Sequence, residues 1–210
     1  FDKNMSDIFF EEMEIPTPKY NLEIHSLSHG AMTGRMIEEI EKVLVIEKPD
    51  VLLVYGDTNS TLAGALAAKK MHIKVAHVEA GLRSFNMRMP EEVNRILTDR
   101  ISDYLFCPTD TAVKNLANEG YANIPCEVVR TGDVMYDAAL FYAKKAEISS
   151  TVLSDLGVTK NEYVLATIHR QENTDDEHNL KNIVSALNEI NARLRVVIPL
   201  HPRTRKILEQ

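Results

Sequence analysis

The 210-residue chain carries 24 basic against 31 acidic side chains, a formal net charge of −7. Its 44% hydrophobic and 26% charged fractions are those of an ordinary globular protein, which excludes a disordered tail, and two cysteines exclude a disulfide scaffold. No apolar run approaches the ~20 residues that span a bilayer, and the negative charge excludes a general nucleic-acid binder.

The length suits one or two domains. The chain opens on Phe1-Asp2-Lys3-Asn4, with neither an initiator Met nor a signal-peptide pattern, and stops at Leu208-Glu209-Gln210 inside a helical pattern. Together with two cysteines that look unpaired, this sets the expectation of a part of a longer, cytoplasmic protein.

In chain order, residues 32–47 carry a helical stripe at Met36, Ile37, Ile40, Val43 and Leu44. A strand over 51–55 ends at Gly56-Asp57, and an Ala- and Leu-rich helix over 58–70 follows, with Asn59 or Ser60 as its expected N-cap. The strand 74–78 ends at Glu79-Ala80-Gly81. Residues 90–100 start with a proline and two glutamates, the chemistry of a first helical turn. Strands over 103–107 and 127–130 end at Pro108-Thr109 and Thr131-Gly132-Asp133. After Ser149-Ser150-Thr151 and Gly157, a second unit begins: a strand over 163–167, a helix over 175–191 and a strand over 195–199. Apolar strands alternating with helices predict an α/β fold, a doubly wound parallel sheet covered on both faces. The expected division is 1–148 for the first Rossmann-like domain and 149–210 for the start of a second.

In open parallel sheets, ligands bind beyond the carboxyl ends of the strands. Here five of six strand ends carry an acid or a histidine: Asp57, Glu79, Asp133, His169 and His201. A polar strand end is also simply where a chain surfaces, so the signal is the concentration. The stretch from His77 to Arg95 adds Arg83, Arg88 and Arg95 beside Glu79, Glu91 and Glu92. Those charges fit either a solvated salt-bridged face or a phosphate site, since guanidinium is planar, bidentate and always charged.

Other patterns fail. His77-x-Glu79 with Pro125-Cys126 has the start of a zinc-deaminase signature but lacks its second cysteine, which Val129 replaces. An extended strand would place His77 and Glu79 on one face, yet two ligands are too few for zinc. Neither a G-x-G-x-x-G nor a P-loop occurs. Cys107 and Cys126 read as small buried residues, and Asn59-Ser60-Thr61 as a helix start rather than a glycosylation site.

The blocks Tyr55-Gly56-Asp57-Thr58-Asn59-Ser60-Thr61-Leu62, His77-Val78-Glu79-Ala80-Gly81-Leu82-Arg83 and Met89-Pro90-Glu91-Glu92-Val93-Asn94-Arg95 resemble the non-hydrolysing UDP-N-acetylglucosamine 2-epimerase family. Thr131-Gly132-Asp133-Val134-Met135, His169-Arg170-Gln171-Glu172-Asn173 and Leu200-His201-Pro202-Arg203-Thr204 extend the resemblance in family order along the chain. It implies a GT-B architecture and reversible inversion at C2 of UDP-GlcNAc to give UDP-ManNAc. UDP is eliminated to a 2-acetamidoglucal and adds back, with no metal or redox cofactor. By the resemblance, Asp57, Glu79 and Glu91 take acid/base roles, and His169 stabilises the leaving diphosphate or shares in proton transfer. Arg95 orients the carboxylates or contacts the nucleotide. Arg83, Arg88, Arg170, His201 and Arg203 are further substrate contacts. It further implies a homodimer serving polysaccharide precursor synthesis, with no nucleic-acid or membrane partner.

Two family segments do not appear: the basic Gly-x-Arg-Pro loop expected before Phe1 and the Asp-Ser-Gly-Gly segment expected after Gln210. The 210 residues alone are therefore expected to be inactive. Ser84 to Pro90, with Met32 to Met36, also resembles a branch acting on UDP-2,3-diacetamido-glucuronate, whose carboxylate would suit Arg88. A GT-B glycosyltransferase and a non-catalytic nucleotide-sugar binder remain as alternatives.

Overall fold

A computed structural model describes residues 7–168, 171–200 and 204–205. The chain divides into two compact units, Phe1–Tyr142 and Ala143–Gln210.

In the first unit, α1 (Asp7–Glu12) and α2 (His29–Glu47) precede a repeating strand–helix pattern. It runs β1 (Val51–Tyr55), α3 (Asn59–Lys70), β2 (Lys74–Val78), α4 (Pro90–Ile101), β3 (Tyr104–Cys107), α5 (Asp110–Asn118) and β4 (Glu127–Arg130), followed by the start of α6 (Val134–Ser149). The strands pair in parallel in the order β1-β2-β3-β4, in the registers Val54↔His77, His77↔Leu105 and Leu105↔Val128. Parallel pairing places all the carboxyl ends on one edge; the links that leave β1, β3 and β4 there are two or three residues long, whereas residues 79–89 lead from β2 to α4.

Side chains opposite one another in a parallel register share a face. Leu52, Val54, Val75, Leu105 and Cys107 therefore point to the side where the helices lie. Val54 and Val75 pack with Leu44 of α2 and Ala65, Ala67 and Ala68 of α3. Leu105 and Cys107 pack with Ala112 and Leu116 of α5 and with Tyr121. Alanines let α3 approach the sheet closely, and Gly64 sits where an added Cβ would already touch Val54. The opposite face of β1 presents Val51, Leu53 and Tyr55, which are exposed.

The second unit holds the rest of α6, α7 (Val152–Asp155), β5 (Tyr163–Leu165), α8 (Gln171–Thr174), α9 (Glu177–Asn191) and β6 (Arg195–Val197). β5 and β6 pair in parallel, and Asp176 caps α9 by accepting the Asn179 N–H at 2.9 Å.

Local expectations differ from the structure at several element ends and at α6, for which no helix is expected. The cap of α3 is Thr58, whose N–H donates to the Thr61 hydroxyl at 3.2 Å; Asn59 and Ser60 already lie inside the helix. The last two strands stop at Leu165 and Val197, where their mutual register ends. Helix α6 buries none of its side chains, so its apolar residues form no single stripe to read.

Candidate active site

Three βα turns on the carboxyl edge carry acids, and each needs a left-handed residue. After β1, Gly56 adopts φ +64° and donates its N–H to the Val78 carbonyl at 3.1 Å, which tucks the Asp57 turn against the end of β2. After β2, the left-handed residue is Glu79 itself (φ +72°), followed by Gly81 (φ +78°). A Cβ on Gly56 would stand 3.3 Å from Glu79 Oε2, and one on Gly81 would meet the Ala112 carbonyl oxygen at 2.5 Å. Asp133 follows Gly132 (φ +96°) and opens α6, accepting the N–H groups of Met135 at 2.9 Å and Tyr136 at 3.3 Å.

The acids interact. Burial, reinforced by the like charges of Asp133 and Asp57, holds the Glu79 carboxyl above the usual carboxylate range, while His77 and Arg95 pull the other way. Arg95 of α4 forms an ion pair with Asp57 Oδ2 and a second, at 3.1 Å, with Glu92 Oε2. Glu92 is 1% exposed and accepts the backbone N–H groups of Ser84 at 3.0 Å and Phe85 at 2.8 Å. Burial would push its carboxyl up, but these N–H groups, the Ser84 hydroxyl and Arg95 prevail and hold it below the usual range. Asn94 donates to the Asp57 carbonyl at 2.9 Å and to Asn59 Oδ1 at 3.2 Å. An open groove of about 570 Å³, lined by His29, Thr33, Asn59, Pro90 and Asn94 among others, adjoins this turn.

Behind the turns lies a buried polar chain. His77 of β2 meets the Gly56 carbonyl through Nε2 at 2.7 Å and Asp99 Oδ1 through Nδ1 at 2.7 Å. Asp99 Oδ2 accepts the Gly81 N–H at 3.1 Å and Arg83 Nη1 at 2.7 Å. Arg83 grips Glu119 with both Nε and Nη2 at 2.7 Å.

The sequence expectations fare unevenly. Asp57, Glu79 and Arg95 come together as expected. Glu91 does not join them: it is exposed on the first turn of α4, and among the described residues no hydrogen bond or ion pair ties it to Asp57 or Glu79. Arg83 is a correction. Its guanidinium is 1% exposed and makes four hydrogen bonds within the protein, to Leu82, Asp99 and Glu119, so it is not presented to a phosphate. Arg88 is exposed, and among the described residues no hydrogen bond or ion pair engages its guanidinium. His169, Arg170, His201 and Arg203 lie outside the described residues. His77 and Glu79 do not share a strand face, because the chain turns left-handed at Glu79. Among the described residues, no group of three metal-ligating side chains is placed to hold an ion. Cys107 is buried, which pushes its thiol up to about 11.

Sequence reasoning gave Asn94 and Asp99 no role and took Glu92 only as one charge of the stretch. All three are buried along α4, as is Thr98. Glu92 and Asp99, seven positions apart, lie along one side of the helix, and Asn94 and Thr98, four apart, along another; polar pairs at those spacings were the signal available.

Comparison with known proteins places this geometry. The family model for UDP-N-acetylglucosamine 2-epimerase matches residues 1–210. The UDP-2,3-diacetamido-2,3-dideoxy-D-glucuronate 2-epimerase of Pseudomonas aeruginosa is 58% identical over the whole chain. The UDP-N-acetylglucosamine 2-epimerase of Methanocaldococcus jannaschii is 50% identical, again over the whole chain. A crystal structure of the latter enzyme, in complex with UDP-GlcNAc and UDP, superposes with a TM-score of 0.88. The Neisseria meningitidis enzyme bound to UDP-GlcNAc superposes at 0.85, with 34% identity over 99% of the chain. The chain spans 58% of the length of each of these relatives. The α/β fold is of the GT-B type that they share.

Proposed function

The chain belongs to the UDP-N-acetylglucosamine 2-epimerase family, and we propose that its protein interconverts UDP-GlcNAc and UDP-ManNAc by inversion at C2. The observation that carries the reading is the cluster of Asp57, Glu79 and Asp133, in which Glu79 is held above the usual carboxylate range. A C2 proton is weakly acidic, so its removal must accompany departure of UDP from C1. A carboxylate tuned toward neutrality is suited both to accept that proton and to return one. In the forward half-reaction the base takes the C2 proton, the electron pair forms the C1–C2 double bond, and the C1–O bond breaks to release UDP. Re-addition of UDP at C1, with protonation of C2 from the other face, completes the inversion and leaves no net oxidation.

Arg95 fits a role in aiming Asp57, and Glu91 and His169 remain proposed participants by family resemblance. Arg170, His201 and Arg203 remain proposed contacts to the diphosphate and uridine. A homodimer in the cytoplasm, serving polysaccharide precursor synthesis, belongs to the same proposal. Among the described residues no helix is long and apolar enough to cross a membrane.

A second substrate is favoured by one observation, the exposed guanidinium of Arg88 on the segment that leads from β2 to α4. It would match the carboxylate of UDP-2,3-diacetamido-glucuronate, the substrate in the name of the Pseudomonas relative. Incubating the full-length protein with each UDP-sugar and following the anomeric proton resonances separates the readings. Manno product from UDP-GlcNAc supports the first, product from the glucuronate alone supports the second, and neither product refutes both. If Arg88 reads the carboxylate, Arg88→Ala raises KM for the glucuronate by about tenfold, the loss of one charge-assisted contact, and leaves UDP-GlcNAc unaffected. An equal effect on both substrates contradicts that role.

A further inference from the structure

The buried chain behind the turns contains a histidine with an acceptor at each nitrogen. Gly56 contributes a carbonyl oxygen and Asp99 a carboxylate oxygen, both at 2.7 Å. A carbonyl can only accept. Asp99 is also held as an acceptor, because its other oxygen takes the Gly81 N–H and the Arg83 guanidinium. His77 must then donate from both nitrogens, which only the imidazolium does. The His77 and Asp99 side chains have no solvent exposure, so no water can take the place of either hydrogen bond.

We propose that His77 is a positioning residue of the reaction, a buried imidazolium that ties the Gly56 turn to Asp99 and so aims Asp57 and Glu79 at one substrate carbon. The inference rests on the proposed C2 chemistry. Its geometric basis is that one side chain reaches both turns. Nε2 anchors the carbonyl of the residue before Asp57, while Asp99 anchors Gly81, two residues beyond Glu79. Among the described residues, the other bond that ties the Gly56 turn to the end of β2 is the Gly56–Val78 backbone hydrogen bond. The cation also lies close enough to Glu79 to favour its ionised form.

The ionisable groups around the His77–Asp99 pair include Arg83 and Glu79 from its own loop, Cys107 of β3, Tyr121, Cys126, and Glu119 at the end of α5. Asp57, Asp133 and Arg95 face Glu79 from the other turns and from α4. α3 adds no ionisable side chain before Lys69.

The test begins with turnover of the full-length protein, whose absence overturns the functional reading and this role with it. Given turnover, neutron diffraction from crystals of the same protein in deuterium oxide at pH 7.5 should show deuterium on both ring nitrogens of His77. A bare nitrogen overturns the inference and leaves the functional reading standing. His77→Gln and Asp99→Asn should then lower kcat by about 10²-fold, the cost of misplacing catalytic groups by an ångström, with KM changed less than twofold. The acid limb of the His77→Gln kcat/KM profile should move to higher pH, because Glu79 loses its cationic neighbour. A purely structural role would reduce the folded fraction without moving that limb. A folded variant with wild-type kcat and an unmoved limb contradicts the proposal, and the neutron result decides it should neither variant fold.

Discussion

Glu79 illustrates how much of this site is decided at the level of single residues. Its backbone is left-handed, and its burial and its two acidic neighbours oppose the ionised side chain. With the folded-state value raised, the folded form binds its proton more tightly than the unfolded form, so this group weakens folding as pH rises above its unfolded value of ~4.3. The loss is complete once pH exceeds the folded value. Glu79→Gln removes the charge and keeps the shape. The variant should melt at a higher temperature than wild type at pH 8, with the gain fading toward pH 4, while turnover is lost. Thermal scans across that range check it; a variant less stable than wild type at pH 8 contradicts the stated electrostatics. Stability given up at a functional residue is a familiar pattern.

At the level of elements, α4 departs from the usual amphipathic design. Its buried residues are Glu92, Asn94, Thr98 and Asp99; Glu92, Asn94 and Asp99 bond to neighbouring turns, while Ile101 at its end packs on the apolar core. This explains why the sequence pattern identified the helix, from Pro90 and the two glutamates, but not which of its polar residues are buried. Adjacent helical positions differ by about 100° in direction, and only the packed structure says which one faces inward. Arg83 misled for a related reason: a guanidinium at a strand end suits a phosphate and a buried carboxylate equally well. The turn after β2 depends on close packing with α5. In Gly81→Ala the new methyl would overlap the Ala112 carbonyl, a backbone group that cannot rotate away, and the residue would carry φ +78°. Overpacking of that kind costs about 1–3 kcal/mol, and the left-handed backbone adds about 1–2 kcal/mol. The urea midpoint should fall accordingly; an unchanged midpoint would mean that the turn and α5 are not packed as described.

Across the whole molecule, the sequence reveals most where physics is local. Apolar runs of four or five residues ending at Gly-Asp or Glu-Ala-Gly located β1 and β2 to the residue, because a parallel strand covered by helices has no alternative pattern. The coincidence of Asp57 and Glu79 on one edge followed from topology alone. The clamp of His77 by Asp99 did not, since its partners lie 22 positions apart and meet only when α4 lies across the sheet. Helix α6, which buries no side chain, gave no stripe to detect.

The central claim is that carboxylates on this edge move the C2 proton of a UDP-sugar. The most direct test is to incubate the full-length protein with UDP-GlcNAc in deuterium oxide and follow the C2 proton by NMR, repeating the measurement with the diacetamido-glucuronate nucleotide and with Asp57→Asn. The account predicts that the C2 signal of a turned-over substrate disappears as the manno isomer grows in. In Asp57→Asn both changes should slow by about 10²–10⁴-fold, the usual contribution of a positioned acid or base. Epimerisation with the C2 proton retained, or an Asp57→Asn variant as fast as wild type, would contradict it.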